Sequence, residues 1–64
     1  MVKINGEFLD KNGKTVSEIL AEMEINSQHV AVELNEEIVS KAKYDETILK
    51  DGDVVEVVRF VGGG

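Results

Sequence analysis

The stretch that most limits how this chain can fold is the last one, Val54-Val55-Glu56-Val57-Val58-Arg59-Phe60-Val61, followed by Gly62-Gly63-Gly64. From Val54 to Val61 β-branched and aromatic side chains dominate, and these pack well on a pleated surface, so a strand is expected. Val55 and Val57 share one parity; Val54, Glu56, Val58 and Phe60 share the other. A carboxylate is almost never buried without a partner, so Glu56 assigns its parity to an open face and leaves Val55 and Val57 for the core. Val58 and Phe60 are then apolar on an uncovered sheet face, which reads as a docking patch. Arg59, beside them, is assigned a surface role facing an acidic partner group. The three glycines have no side chains to bury and are expected to be exposed and mobile. Extended, they reach roughly 10 Å past the strand, enough to enter another protein's narrow channel.

A body of residues 1–61 carrying a tail of residues 62–64 is one small domain. A chain of 64 residues buries only about 60% of the surface its unfolded form exposes. It spends its apolar residues on one modest core, so an internal catalytic cleft is not expected. Cysteine is absent, which removes disulfides, thiolate nucleophiles and thiolate metal sites. The formal charge of −6 argues against nucleic acid as a partner and favours a basic or apolar protein surface. Neither a secretory leader nor an apolar run of membrane-spanning length is visible, so no membrane partner is expected and the compartment is read as cytoplasmic.

Met1 to Asn5 alternates with Val2 and Ile4 on one side. Asn5-Gly6 then favours a two-residue hairpin turn into Glu7-Phe8-Leu9. Thr15-Val16-Ser17-Glu18 has the form of a capping box, and Val16, Ile19, Leu20 and Met23 fall at helical spacing. Glu18, Glu22 and Glu24 are assigned to a solvated helix face, and Ile25 to the core just past the helix. Val30, Val32 and Leu34 alternate on a third strand, Glu36-Glu37 is expected to turn the chain, and Ile38-Val39 to start a short edge strand. Tyr44 is an expected anchor, Ile48-Leu49 an expected return to the core, and Lys50-Asp51-Gly52-Asp53 a tight turn before the last strand. Two hairpins, one helix and a final strand predict an α+β domain: a mixed four- to five-stranded sheet with one main helix on one face, the first and last strands central. That is the β-grasp, or ubiquitin-like, arrangement.

Asn5-Gly6, Thr15-Val16, Val30-Ala31-Val32-Glu33-Leu34-Asn35 with Ile38-Val39, and above all Asp51-Gly52-Asp53-Val54-Val55-Glu56 ending in Phe60-Val61-Gly62-Gly63-Gly64 resemble the ThiS family of thiamine-biosynthesis sulfur carriers. The resemblance covers the whole chain. It implies a β-grasp protein that is not itself an enzyme. Its terminal carboxylate, here on Gly64, would be adenylated by a ThiF-like partner consuming ATP and converted to a thiocarboxylate that supplies sulfur to thiazole synthase. A cysteine desulfurase or rhodanese-type protein would donate the sulfur, and no cofactor would be bound permanently.

The residues make that chemistry intelligible. A free carboxylate is inert as an acyl group until activated, and a chain without cysteine leaves activation and sulfur delivery to others. Gly64 leaves the reacting carbon open, while Gly62 and Gly63 let a partner's channel close around the backbone. Two other readings stay open on the residues alone. One is a related β-grasp carrier or modifier serving molybdopterin synthesis, tRNA thiolation or protein conjugation; the other is an interaction module with an inert tail. Asp51 and Asp53 lack the further oxygen ligands of a calcium loop, and His29 has no cysteine near it, so no metal site is assigned.

Overall fold

The computed structural model describes residues 1–59; the expectations for Phe60 and the glycines Gly62, Gly63 and Gly64 lie outside the described residues. Its strands are β1 (Val2–Ile4), β2 (Glu7–Leu9), β3 (Val30–Leu34), β4 (Glu37–Val39) and β5 (Val54–Arg59), with one α-helix among the described residues, α1 (Val16–Glu22), between β2 and β3, and single 3-10 turns at Ser27–His29 and Lys41–Lys43. The sheet order is β2-β1-β5-β3-β4. β1 and β5 run parallel and the other neighbours antiparallel. This is the β-grasp arrangement, with β5 at its centre and β1 beside it.

Each hairpin turns on two residues of positive φ, the backbone twist that suits right-twisted strands. Asn5 and Gly6 have φ of 49° and 85°, as their dipeptide predicts. The second turn differs from its expected place by one residue. Asn35 and Glu36, at 51° and 71°, make it, and Glu37 already opens β4. Asparagine tolerates the left-handed region because its short polar side chain bonds locally, and Asn35 is also held by β5, as described below.

The helix starts on the capping box. The Glu18 N–H donates to Thr15 Oγ1 at 3.1 Å and the Thr15 N–H to Glu18 Oε1 at 2.8 Å, satisfying two backbone donors that the first turn leaves unpaired. It ends with a left-handed residue, Glu24 at φ 57°. The Ile25 N–H reaches the Leu20 carbonyl at 2.9 Å and the Glu24 N–H the Ala21 carbonyl at 3.1 Å, the paired bonds of a Schellman cap. That cap swings Ile25 back onto the core, where it is partly buried.

The core lies between α1 and one sheet face. Val16, Ile19 and Leu20 meet Val2, Ile4, Val30, Val32 and Val55, with Tyr44 and Leu49 closing one side. Ile48, expected inside, is 62% exposed. Its segment is extended, with an isolated bridge to Thr15, so consecutive side chains point opposite ways and only Leu49 can enter the core. The acidic helix face is also less free than its composition suggests: Glu18 caps the helix, and Glu22 takes Lys11 and Lys14, each at 2.8 Å. No helix among the described residues is long and apolar enough to cross a membrane.

Candidate functional site

The strand that leads to the glycines is held by two asparagines, one from each hairpin turn. The ladder from β1 pairs only Lys3 with Val54 and Ile4 with Val55. Asn5 extends it twice: its N–H donates to the Val55 carbonyl at 2.9 Å, and its Oδ1 accepts the Val57 N–H at 2.8 Å. From the other side β3 pairs with Val55 through Arg59. There Asn35 adds the last rung, donating its N–H to the Val54 carbonyl at 2.8 Å and accepting the Val54 N–H on Oδ1 at 2.9 Å. Both asparagines have left the strand direction, so a side chain replaces the carbonyl that a continuing strand would present.

Asp53 locks the root of β5. Only 3% exposed, its carboxylate accepts from the Lys50 N–H at 2.9 Å and from Asn35 Nδ2 at 3.1 Å, with Lys50 Nζ at 3.7 Å. Burial disfavours its charge, but the Lys50 N–H, the Asn35 amide and the Lys50 ammonium outweigh burial and hold the carboxyl below its ordinary range. Sequence reasoning saw a turn here and missed the buried acid. The signal was available as Asn35, a second turn residue whose side chain had no assigned partner.

The open face follows from the registers. Phe8, Lys3 and Val54 form one row across β2, β1 and β5; Ile38, Glu33 and Glu56 form another across β4, β3 and β5; Ala31 and Val58 form a third. Val58 is 52% exposed and Val54, at the other end of the same strand face, is also exposed, while Val55 is buried and Val57 half-buried, so the parity argument holds for the described part of β5. The face extends beyond the residues expected. Phe8 at 66% and Ile38 at 76% stand at its two edges, and Lys3 Nζ lies 5.4 Å from the Phe8 ring centroid, a cation–π arrangement. Parity within a three-residue strand could not assign these two; pairing register does.

Arg59 is separated from Val58. It has the parity of Val55 and Val57 and lies past the helix, lining a shallow groove with Glu24, Ile25, Asn26, His29 and Val30. Val58 and Arg59 therefore face opposite sides of the sheet at the point where the chain continues toward Gly64. Among the described residues no cluster of three His, Cys, Asp or Glu side chains could hold a metal ion. The described residues present a hydrogen-bonded strand end with an open apolar-and-acidic face.

The ThiS family model matches residues 1–64. The chain is 47% identical over 64 residues to the sulfur carrier protein ThiS of Thermus thermophilus, covering 100% of both chains. It is 45% identical over 62 residues to a thiazole synthase of Paramagnetospirillum magneticum, covering 95% of this chain but only 19% of that protein. Among solved structures, the crystal structure of the thiamine biosynthesis protein (ThiS) from Geobacter metallireducens matches with a TM-score of 0.79 at 36% identity, covering 98% of this chain and 97% of that one. With a full-length match in sequence and in fold, the chain belongs to the ThiS family.

Proposed function

We propose that the Gly64 carboxyl group is where this chain carries sulfur, as a thiocarboxylate made and used by other proteins. Membership of the family makes the chain a sulfur carrier protein of thiamine biosynthesis, a small carrier rather than a catalyst. The observation that carries the finer reading is that the family match runs through Gly64 itself. A ThiF-like enzyme activates the carboxylate with ATP: a carboxylate oxygen attacks the α-phosphorus, pyrophosphate leaves, and an acyl adenylate forms. A nucleophile at the oxidation level of sulfide, derived from a cysteine desulfurase or rhodanese-type donor, then adds to the acyl carbon and AMP leaves. A chain without cysteine supplies no competing thiol.

The acceptor in this reading is thiazole synthase. The thiazole synthase that contains a segment 45% identical to this chain supports an association between the two functions. Gly62 and Gly63 let the activating channel close on bare backbone. Residues 60–64 follow β5 and can span at most about 18 Å when extended, so the enzyme must dock against the body near Val58 to reach Gly64. Fixing the backbone of an inserted segment in one conformation costs about 1–2 kcal/mol per residue. Val58, Val54, Ile38 and Phe8 offer apolar surface whose burial offsets that cost.

The test is intact-mass analysis after incubation with the adenylating enzyme, ATP and the sulfur donor. One oxygen exchanged for sulfur at Gly64 is the expected result, and a mass that stays unmodified refutes the reading. Deleting Gly63 and Gly64 should abolish the exchange and leave the fold unchanged.

A further inference from the structure

We infer that the enzyme acting on Gly64 docks partly by adding an extended segment of its own backbone to the β1 side of β5, at Val57 to Arg59. The inference rests on the role proposed for Gly64, since it concerns how that enzyme grips the strand leading there.

The pattern of rungs identifies the vacant edge. Alternate residues of a strand send their backbone groups to opposite neighbours. Val54 exchanges bonds with Asn35 on the β3 side, while the Val55 carbonyl and the Val57 N–H are taken by Asn5 on the β1 side. The next groups on the β1 side are the Val57 carbonyl and the Arg59 N–H. By then the neighbouring chain has turned away at Asn5-Gly6 and started back as β2. β3 continues to pair on the other side as far as Arg59. The last part of β5 is thus a central strand on one side and an edge on the other, and no described residue bonds to the Val57 carbonyl or the Arg59 N–H.

An exposed edge is a template for one more strand, with main-chain bonds giving affinity and alternate side chains giving selectivity. Continuity with the reacting residue selects the occupant. Arg59 is five residues from Gly64, and any enzyme that reaches Gly64 must lie along the chain that leaves this edge. A second copy of this chain fits less well. Pairing β5 with its own mate would place two bodies of formal charge −6 against each other with Arg59 near Arg59.

Amide hydrogen exchange on the native sequence tests this with the adenylating enzyme and ATP present, Gly64 adenylation being followed in the same sample by mass. The Arg59 amide should exchange quickly in the free protein and become at least about tenfold slower in the complex. A complex that adenylates Gly64 while Arg59 exchanges at its free rate overturns the inference and leaves the proposed function standing; absence of adenylation refutes the proposed function itself. Protection of Arg59 that rises with protein concentration, without enzyme, overturns it in favour of self-pairing. Arg59→Pro deletes the outward N–H but no bond to β3, a position where a sheet tolerates proline. It should bind the enzyme about tenfold more weakly than Arg59→Ala, the effect of one main-chain bond. Equal weakening by both variants would assign the effect to the guanidinium and overturn the inference.

Discussion

Asp53→Asn isolates the buried acid at the root of β5 with almost no change in shape. The carboxylate serves two donors, the Lys50 N–H at 2.9 Å and Asn35 Nδ2 at 3.1 Å. An amide in its place has one acceptor oxygen, so one donor loses its partner. Asn35 cannot rescue the pair by rotating its amide, because its Oδ1 already accepts the Val54 N–H at 2.9 Å. A hydrogen bond to a charged group contributes about 1.5–3 kcal/mol, and the amide is cheaper to bury than the carboxylate it replaces, so a net loss of about 2 kcal/mol is expected. For a chain of 64 residues that is a large part of a total of about 3–10 kcal/mol, a fall in Tm of roughly 8–16 °C. Urea unfolding should show a lower midpoint at unchanged slope.

The pH dependence gives an independent check on the same variant. Because the Asp53 carboxyl is held below its ordinary range in the fold, its contribution is fully present above the unfolded value, about pH 4, and is lost as pH falls through the folded value. The gap between parent and Asp53→Asn should therefore be constant from pH 7 to about pH 5 and narrow below about pH 4. A variant within about 0.5 kcal/mol of the parent at pH 7, or a gap that persists unchanged in acid, would show that Asp53 does not lock β5.

Val58→Ala removes two methyl groups from a side chain that is 52% exposed, so stability should change by less than about 0.5 kcal/mol. If the enzyme buries that exposed half, docking weakens by about 0.8 kcal/mol, or roughly fourfold in Kd, which titration calorimetry can resolve; a large stability loss would instead make Val58 part of the core. Glu24→Gly relieves a side chain at φ 57° on the Schellman cap and should stabilise the protein by about 0.5–1 kcal/mol, read as a higher melting temperature.

Much of the site was legible because β5 carries its own assignment. One glutamate among valines sets the parity of the strand, and the structure buries Val55 and exposes Val58 accordingly. The capping box and the Asn5-Gly6 turn were equally local, each set by neighbours within a few residues. Local pattern misled where a side chain's partner was distant. Glu36-Glu37 looked like the second turn, but Asn35 is held there by Asp53 and Val54, some 18 residues further on. Ile48 and Leu49 looked equally apolar, yet pairing with Thr15 lets only one of them turn inward.

By itself, then, the sequence determined the strands and the helix, the helix cap and the buried parity of β5, since each depends on side-chain type and near neighbours. Only the tertiary structure decided what β5 meets. Registers between strands distant in the chain bring Phe8 and Ile38 onto the face of Val58, send Arg59 to the opposite side, and bury Asp53 between two turns. They also leave the Val57 carbonyl and the Arg59 N–H without a partner among the described residues. That follows from where β1 turns away, which depends on how three separate segments align and not on the residues of β5 alone.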